Sequence, residues 1–451
     1  MPVNKVVLVN PNRWKPKTAP LAIEYLGDSL ESQGFAVDIL DLCNDMQLKQ
    51  VISDFFKKRA ADLVGITHRN LDDIHYGRSM APEIHDVVRF IKDATDAPIV
   101  LGGSGFSIHP ERMLEYCGLD LGIVGEGEVS MALLMRNLGD VSAYPTIPGL
   151  VYRTENGFRR NPVSSVDLST ICISKRSQLN YTRYPAPKGR MIGTAVQTKR
   201  GCPRDCIYCV IPQIEGRAIR LRPPGDIVDE IENLVRIGIN RFWFADSEFN
   251  YPISHANAIC EEIIQRKLND KIFWSVYLSP TPFSYDLAKL MYEAGCIRAN
   301  FSIENANEKM LQIMRKDFTP QDILYATKCC HEAKLVPNFS LMVGGPGETL
   351  DTVLETLDLM KKVVPNEKVT FGEVPGLRIY PNTPLADMVK EEGFDKRNPN
   401  LQGCIEGNDD FFRPVYYMSS RIGIMGTVFS GWRRVGLARQ VIGAKLLRSK
   451  R

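Results

Sequence analysis

Three cysteines share one eight-residue run, Cys202-Pro203-Arg204-Asp205-Cys206-Ile207-Tyr208-Cys209. The spacing is C-x3-C-x2-C, with an aromatic residue before the last thiol. The irons of a cubane iron–sulfur cluster are held by cysteine thiolates. Three thiolates on one loop therefore secure three irons and leave the fourth open to a small molecule. A structural zinc site would draw on a fourth ligand, usually from a second cysteine pair. The chain has no second C-x2-C pair, and no histidine lies near the run. Its eleven cysteines are odd in number and scattered, which argues against a disulfide framework. Met1-Pro2-Val3-Asn4-Lys5 leads straight into an apolar stretch, so no leader peptide is expected and a reducing cytoplasm is the expected setting.

Composition bounds what carries this loop. A chain of 451 residues suggests two or three domains, and 44% hydrophobic with 24% charged residues is ordinary for a globular protein. No run of about twenty apolar residues predicts a membrane span. A net charge of +3 gives no case for a nucleic-acid partner. The last residues are locally basic, with Arg433, Arg434, Arg439, Lys445, Arg448, Lys450 and Arg451 among Val435, Leu437, Val441, Ile442, Leu446 and Leu447. This predicts an amphipathic helix that either packs on the body or docks to a membrane surface or an acidic partner.

In the first third, short apolar runs at 5–10, 36–40, 63–67, 98–102 and 119–124 alternate with helical stretches near 20–33, 45–60, 80–95, 109–117 and 128–138. That alternation predicts a doubly wound parallel sheet, which binds ligands at the carboxyl ends of its strands. Three loops lie there: Asn10-Pro11-Asn12-Arg13, Gly102-Gly103-Ser104-Gly105-Phe106 and Gly125-Glu126-Gly127-Glu128. None is a G-x-G-x-x-G opening the first helix, so a nicotinamide cofactor is poorly supported. Asn156-Gly157 signals a hairpin, and the proline-rich segment around it reads as a linker.

From Thr194 strand–helix alternation resumes. Strands are expected at 194–198, 240–245, 271–277, 297–303, 336–342 and 368–374, with helices near 225–237, 254–267, 284–294, 307–331 and 349–363. In a barrel the active site lies at the strands' carboxyl ends, and the cysteine run directly follows the first of these strands. Other chemistry-bearing segments follow later strands: Phe244-Ala245-Asp246-Ser247-Glu248-Phe249-Asn250, Ser302-Ile303-Glu304-Asn305, Val343-Gly344-Gly345-Pro346-Gly347-Glu348-Thr349 and Tyr380-Pro381-Asn382-Thr383-Pro384-Leu385.

The cysteine run and these four segments, in this order, resemble the radical S-adenosylmethionine (SAM) superfamily. The resemblance implies an N-terminal Rossmann-like α/β domain followed by a partial (β/α)6 TIM-type barrel and a short helical C-terminal region. The Gly-Gly turn and the Gly-Glu-Gly-Glu segment resemble the cobalamin-binding domain fused to many such enzymes, here over about residues 1–140. A hairpin and linker at 141–192, the barrel at 193–394 and a capping region at 395–451 complete the expected organisation. The D-x-H-x-x-G motif of cobalamin carriers is absent. Asp73-Ile74-His75-Tyr76-Gly77 is one residue short and follows the wrong strand.

Implied roles follow from the resemblance. Cys202, Cys206 and Cys209 hold a 4Fe-4S cluster, and SAM chelates its open iron through its amino and carboxylate groups. A cationic amine needs an anionic or carbonyl acceptor, for which Asp246 and Glu248 are candidates. Glu304 is a candidate for the ribose hydroxyls or the amine, and Tyr208 for packing near the adenine. Glu348 and Thr349 read as a helix start with acid near the positive dipole end. Gly102, Gly103, Ser104, Gly125, Glu126, Gly127 and Glu128 are the cobalamin candidates. The implied reaction forms a 5′-deoxyadenosyl radical and, with cobalamin, C-methylates an unactivated carbon. The alternative is a cyclase, rearrangement or C–C bond-forming enzyme with cobalamin unused or absent. Methylthiotransferases usually carry a second cluster on three N-terminal cysteines, whereas only Cys43 and Cys117 lie in the first domain. Implied partners are an electron donor such as ferredoxin or flavodoxin and a substrate that is a small molecule, lipid or protein side chain. Tyr416 and Tyr417 either pack a C-terminal core or line the substrate pocket.

Overall fold

The structure, a computed structural model, describes residues 4–13, 17–43, 45–73, 77–170, 175–184, 194–363, 370–371 and 376–423. Its first sheet comprises β1 (Lys5–Asn10), β2 (Ala36–Asp41), β3 (Leu63–Thr67), β4 (Ile99–Gly102), β5 (Leu121–Ile123), β6 (Leu150–Thr154) and β7 (Gly157–Arg160). The order is β2-β1-β3-β4-β5-β6-β7. The first five strands are parallel, and the hairpin β6–β7 extends them antiparallel. The sheet is apolar on both faces. Along β1, Val7 and Val9 enter one hydrophobic cluster while Val6 and Leu8 enter another. Period-two alternation between two cores is what helices on both faces produce. The strand order reverses between β1 and β3, which marks the ligand crevice of such a sheet.

The second sheet comprises β8 (Thr194–Val196), β9 (Arg241–Phe244), β10 (Phe273–Leu278), β11 (Cys296–Glu304), β12 (Pro337–Leu341) and β13 (Thr370–Phe371). All neighbours pair in parallel, in sequence order. Val196, Phe244, Val276, Phe301 and Phe339 point outward into one large core, where each buried aromatic or aliphatic side chain contributes about 1.5–3 kcal/mol. The opposite face is polar. Trp243, Tyr277, Asn300 and Asn338 alternate with those core residues, Tyr277 pairs in register with Asn300, and Asn338 donates to Asn300 Oδ1 at 2.9 Å. The lumen is thus not filled with branched aliphatics as a closed (β/α)8 barrel is.

Two expectations change. The single helix over 307–331 is two, Glu308–Ile313 and Pro320–Glu332. Pro320 lacks the N–H a continuous helix needs, and Thr319 and Asp322 form a capping box that starts the second helix afresh. The Asn156-Gly157 hairpin, expected with the linker of 141–192 and apart from the first domain, extends the first sheet. Tyr416 and Tyr417 are each 2% exposed, on a small antiparallel sheet that packs the C-terminal core. The basic stretch 433–451 lies outside the described residues, as do most of the flanks of β13. Among the described residues no helix is long and apolar enough to cross a membrane.

Candidate active site

The cysteine loop leaves β8 through Gly201, whose φ is +97° and whose missing Cβ would lie 2.2 Å from the Ala218 carbonyl oxygen. Only glycine fits both conditions. Cys202 is buried, while Cys206 and Cys209 are partly exposed. The loop is held by its own backbone: Cys202 N donates to Gly216 O, Cys209 N to Cys206 O and Ile207 N to Met314 O. Burial, together with its two sister cysteines, pushes the Cys209 thiol up to about 12. A nearby cationic centre reverses that preference and deprotonates coordinating thiols outright. Among the described residues no three His, Cys, Asp or Glu side chains gather to hold a single metal ion.

The acids of the barrel mouth divide sharply. Asp246 is 4% exposed, and its carboxylate accepts from Thr198 N at 2.7 Å, Thr198 Oγ1 at 2.6 Å and Lys199 N at 3.3 Å. Asp246, expected as an acceptor for the SAM amine, here braces the strand end that leads into the cysteine loop. Lys199 shares this buried pocket, donating to the carbonyls of Phe249 and Tyr251. Desolvation lowers its pKa to about 8 despite Asp246. Glu248 instead faces the loop and pairs with Arg204 at 2.9 Å.

Glu304 ends β11 with φ +63°, a strained conformation for a non-glycine residue. The ladder slips register there, and Met342 N donates to the Glu304 carbonyl at 2.8 Å. The twist brings its carboxylate to Tyr208, whose hydroxyl donates to Oε1 at 3.1 Å. Lys316, which no sequence pattern signalled, lies 3.6 Å from the same oxygen and donates to Ser302 O at 3.2 Å. Burial opposes its charge, but Glu304 and the nearby Cys206, Glu248 and Cys209 outweigh that and hold the ammonium above its usual range. A buried cation, two carboxylates and a phenol thus surround the three thiols. Glu348 is fully buried and accepts from Gly345 N at 3.0 Å and Asn305 Nδ2 at 2.7 Å, which makes it the brace of its turn.

Above this mouth lies a cavity of about 350 Å³ at the switch point of the first sheet. Its walls come from both halves of the molecule. The sheet contributes Gly102, Gly103, Ser104, Gly125, Glu126, Gly127 and Glu128, all anticipated from sequence, and the barrel contributes Ala195, Gln197, Trp243 and Ala245. Two features of the lining suit a polar ligand. Trp243 Nε1 is buried without a hydrogen-bond partner. Arg69 lines the cavity with its surface exposed. Among the described residues that line the cavity there is no histidine or cysteine. His75 lies outside the described residues. The cavity therefore offers glycine backbone, one orphaned donor and one cation to a large ligand, which fits a corrin with amide side chains.

Glu126 and Glu128 line this cavity, but their carboxylates are engaged. Arg200 reaches Glu128 Oε1 at 2.6 Å and Glu126 Oε1 at 3.3 Å, and Arg220 reaches Glu126 Oε2 at 2.7 Å. Burial would raise the Glu126 pKa, yet the two arginines and Val166 N hold it below the usual range.

The family model "Radical SAM superfamily" matches residues 196–360, and "B12 binding domain" matches residues 12–135. Among curated proteins, the tryptophan 2-C-methyltransferase of Streptomyces laurentii is 29% identical, over 86% of this chain and 74% of that one. Among solved structures, the radical SAM methyltransferase TsrM of Kitasatospora setae with tryptophan and aza-SAM bound is 27% identical, with a TM-score of 0.82 over 96% of this chain and 89% of that one. The same protein with cobalamin and a [4Fe-4S] cluster bound superposes with a TM-score of 0.80, over 93% and 84%.

Proposed function

Because this chain belongs to the cobalamin-binding-domain-containing radical SAM enzymes, we propose that it is a cobalamin-dependent C-methyltransferase acting on a substrate held in the barrel lumen. The observation that carries this reading is the shared cavity: residues of the cobalamin-type domain and of the barrel strands line one space above the cysteine loop. Ala195, Trp243 and Ala245 of the barrel share that space with the glycine loops of the first domain. When bound, the cluster supplies an electron to SAM, and cobalamin supplies a transferable methyl group.

The protein's own part is to bind, orient and exclude water. Cys202, Cys206 and Cys209 hold the cluster. Glu248 and Glu304 offer acceptors for the SAM amine or ribose, and Tyr208 fixes the Glu304 carboxylate. Lys316 is the buried cation that meets the SAM carboxylate. The glycine loops 102–104 and 125–128 admit the corrin edge against backbone. A low-potential carrier such as ferredoxin or flavodoxin supplies the electron.

Two expected results test this reading. Lys316→Met keeps its iron content but raises KM for SAM about 10- to 100-fold, the equivalent of a lost charged hydrogen bond of about 1.5–3 kcal/mol. An unchanged KM would remove Lys316 from the SAM site. Holoenzyme given SAM labelled with deuterium in its methyl group, plus a cell extract, yields a product heavier by one labelled methyl. Formation of 5′-deoxyadenosine with no labelled product would favour ring closure or C–C coupling over methylation.

A further inference from the structure

The three cysteines lie on an excursion, residues 201–219, that is closed at its neck. There Lys199–Arg200 pairs antiparallel with Arg220–Leu221. Both sides of the neck carry an arginine, and both arginines grip the loop after β5. Arg220 reaches Glu126 Oε2 at 2.7 Å and also donates to Val166 O at 2.9 Å. Arg200, 9% exposed, spans Glu126 and Glu128, and its Nε donates to Gln197 Oε1 at 2.9 Å. Inside the excursion, Glu215 accepts from Gly201 N at 3.1 Å and also lines the cavity.

These contacts are more than a domain weld. Glu126 and Glu128 open the helix Gly127–Arg136, so their backbone forms the cavity wall while their carboxylates hold the neck. Arg200 is two residues from Cys202, and between them stands Gly201, where no side chain fits. A shift of the 125–128 backbone against a corrin edge is therefore passed through one buried guanidinium to the first cluster ligand. Arg220 is separated from the nearest cysteine, Cys209, by ten intervening residues and cannot do this as directly.

We propose that Arg200 is a positioning residue that couples occupancy of the corrin cavity to the geometry of the cluster loop. This rests on the reading that the cavity takes cobalamin, and the experiment separates the two. Hydrogen–deuterium exchange is measured on the anaerobically reconstituted protein with and without hydroxocobalamin. In the wild type, loading slows exchange in 121–136 and also in 201–219. In Arg200→Gln, protection of 121–136 persists while that of 201–219 disappears. Arg200→Lys, which keeps the charge but not the fork, restores part of it. Turnover of Arg200→Gln falls about 100-fold, the scale expected for a small misplacement of reacting groups, and SAM cleavage without methylation rises. Should Arg200→Gln fail to assemble, Glu126→Ala together with Glu128→Ala removes both acceptors of that guanidinium and must give the same loss. Protection of 201–219 that survives in either variant overturns the coupling, as does wild-type protein that retains corrin without protecting 201–219. Wild-type protein that retains no corrin after desalting defeats the cobalamin reading itself, and the coupling with it.

Discussion

Cys206→Ala abolishes the iron–sulfur chromophore and SAM cleavage together, while the fold stays intact. Cys206 is the informative choice among the three. Its neighbour Cys202 is buried, so a change there would mix lost ligation with lost packing. Cys206 is partly exposed, and the loop contact at that position is made by its backbone carbonyl, which accepts from Cys209 N at 3.1 Å and survives the substitution. Asp205 beside it keeps its ion pairs with Arg217 at 2.8 Å and Arg315 at 2.7 Å. The thiol alone is lost. Residues behind a metal ligand cost about 10- to 100-fold in affinity or activity when changed. Loss of a ligand from a site with only three exceeds that, and activity falls to background. Iron and sulfide content after anaerobic reconstitution, with 5′-deoxyadenosine formation, checks this. A Cys206→Ala protein that keeps wild-type iron and cleaves SAM would mean the cluster is held elsewhere.

How much of this site was legible in the sequence depends on the range of the interaction. The cysteine run, the strand-end glycines and the order of the barrel strands are local patterns, and they stand where the spacing placed them. Asp246 and Glu248 show the limit. Both occupy the acidic turn after β9, two residues apart, and spacing cannot say which carboxylate faces inward. The choice is made by Thr198, 48 positions upstream, which takes up Asp246 through two hydrogen bonds. Lys316 was invisible for the same reason. It joins the cluster environment only because the break before Pro320 turns the chain back over β11 to Ser302 O. Glu126 and Glu128 read as ligand-binding acids in sequence, but their arginine partners lie 94 and 72 residues away. Buried polar networks are fixed by tertiary contact, so composition and period carry no trace of them.

The same long-range logic gives the second large effect. Arg176→Met destabilises the protein by about 3–5 kcal/mol and loosens the cavity. Arg176 comes from the segment between the two sheets and is fully buried at the junction of both. Its guanidinium pairs with Glu24 at 2.7 Å and with Glu230, and it donates to Tyr181 Oη at 3.1 Å and to the Ala195 carbonyl of β8. Glu24 lies on the helix Leu21–Ser32 of the first domain and Glu230 on the helix Pro224–Arg236 of the barrel. Arg222 pairs with Glu230 at 2.7 Å, and Tyr25 donates to Glu230 while accepting from Gln197 N and Arg222. Two cations and two carboxylates thus lock the domains at the edge of the shared cavity, which Tyr25 and Ala195 both line.

Removing one partner from such a set leaves an uncompensated buried charge, and that is where the about 3–5 kcal/mol arises. It falls on Glu24 first. Burial already raises that carboxyl, with Arg176 as the main opposing influence, so without the guanidinium it takes up a proton or the interface opens. Chemical denaturation of the apo protein reads the loss, and hydroxocobalamin retention reads the cavity. The triple variant Glu24→Gln, Glu230→Gln, Arg176→Met should recover part of the stability, because well-packed neutral replacements of a buried ionic set often approach neutrality. Unchanged denaturation in the single variant would show that Arg222 alone compensates Glu230 and that the domains are locked elsewhere.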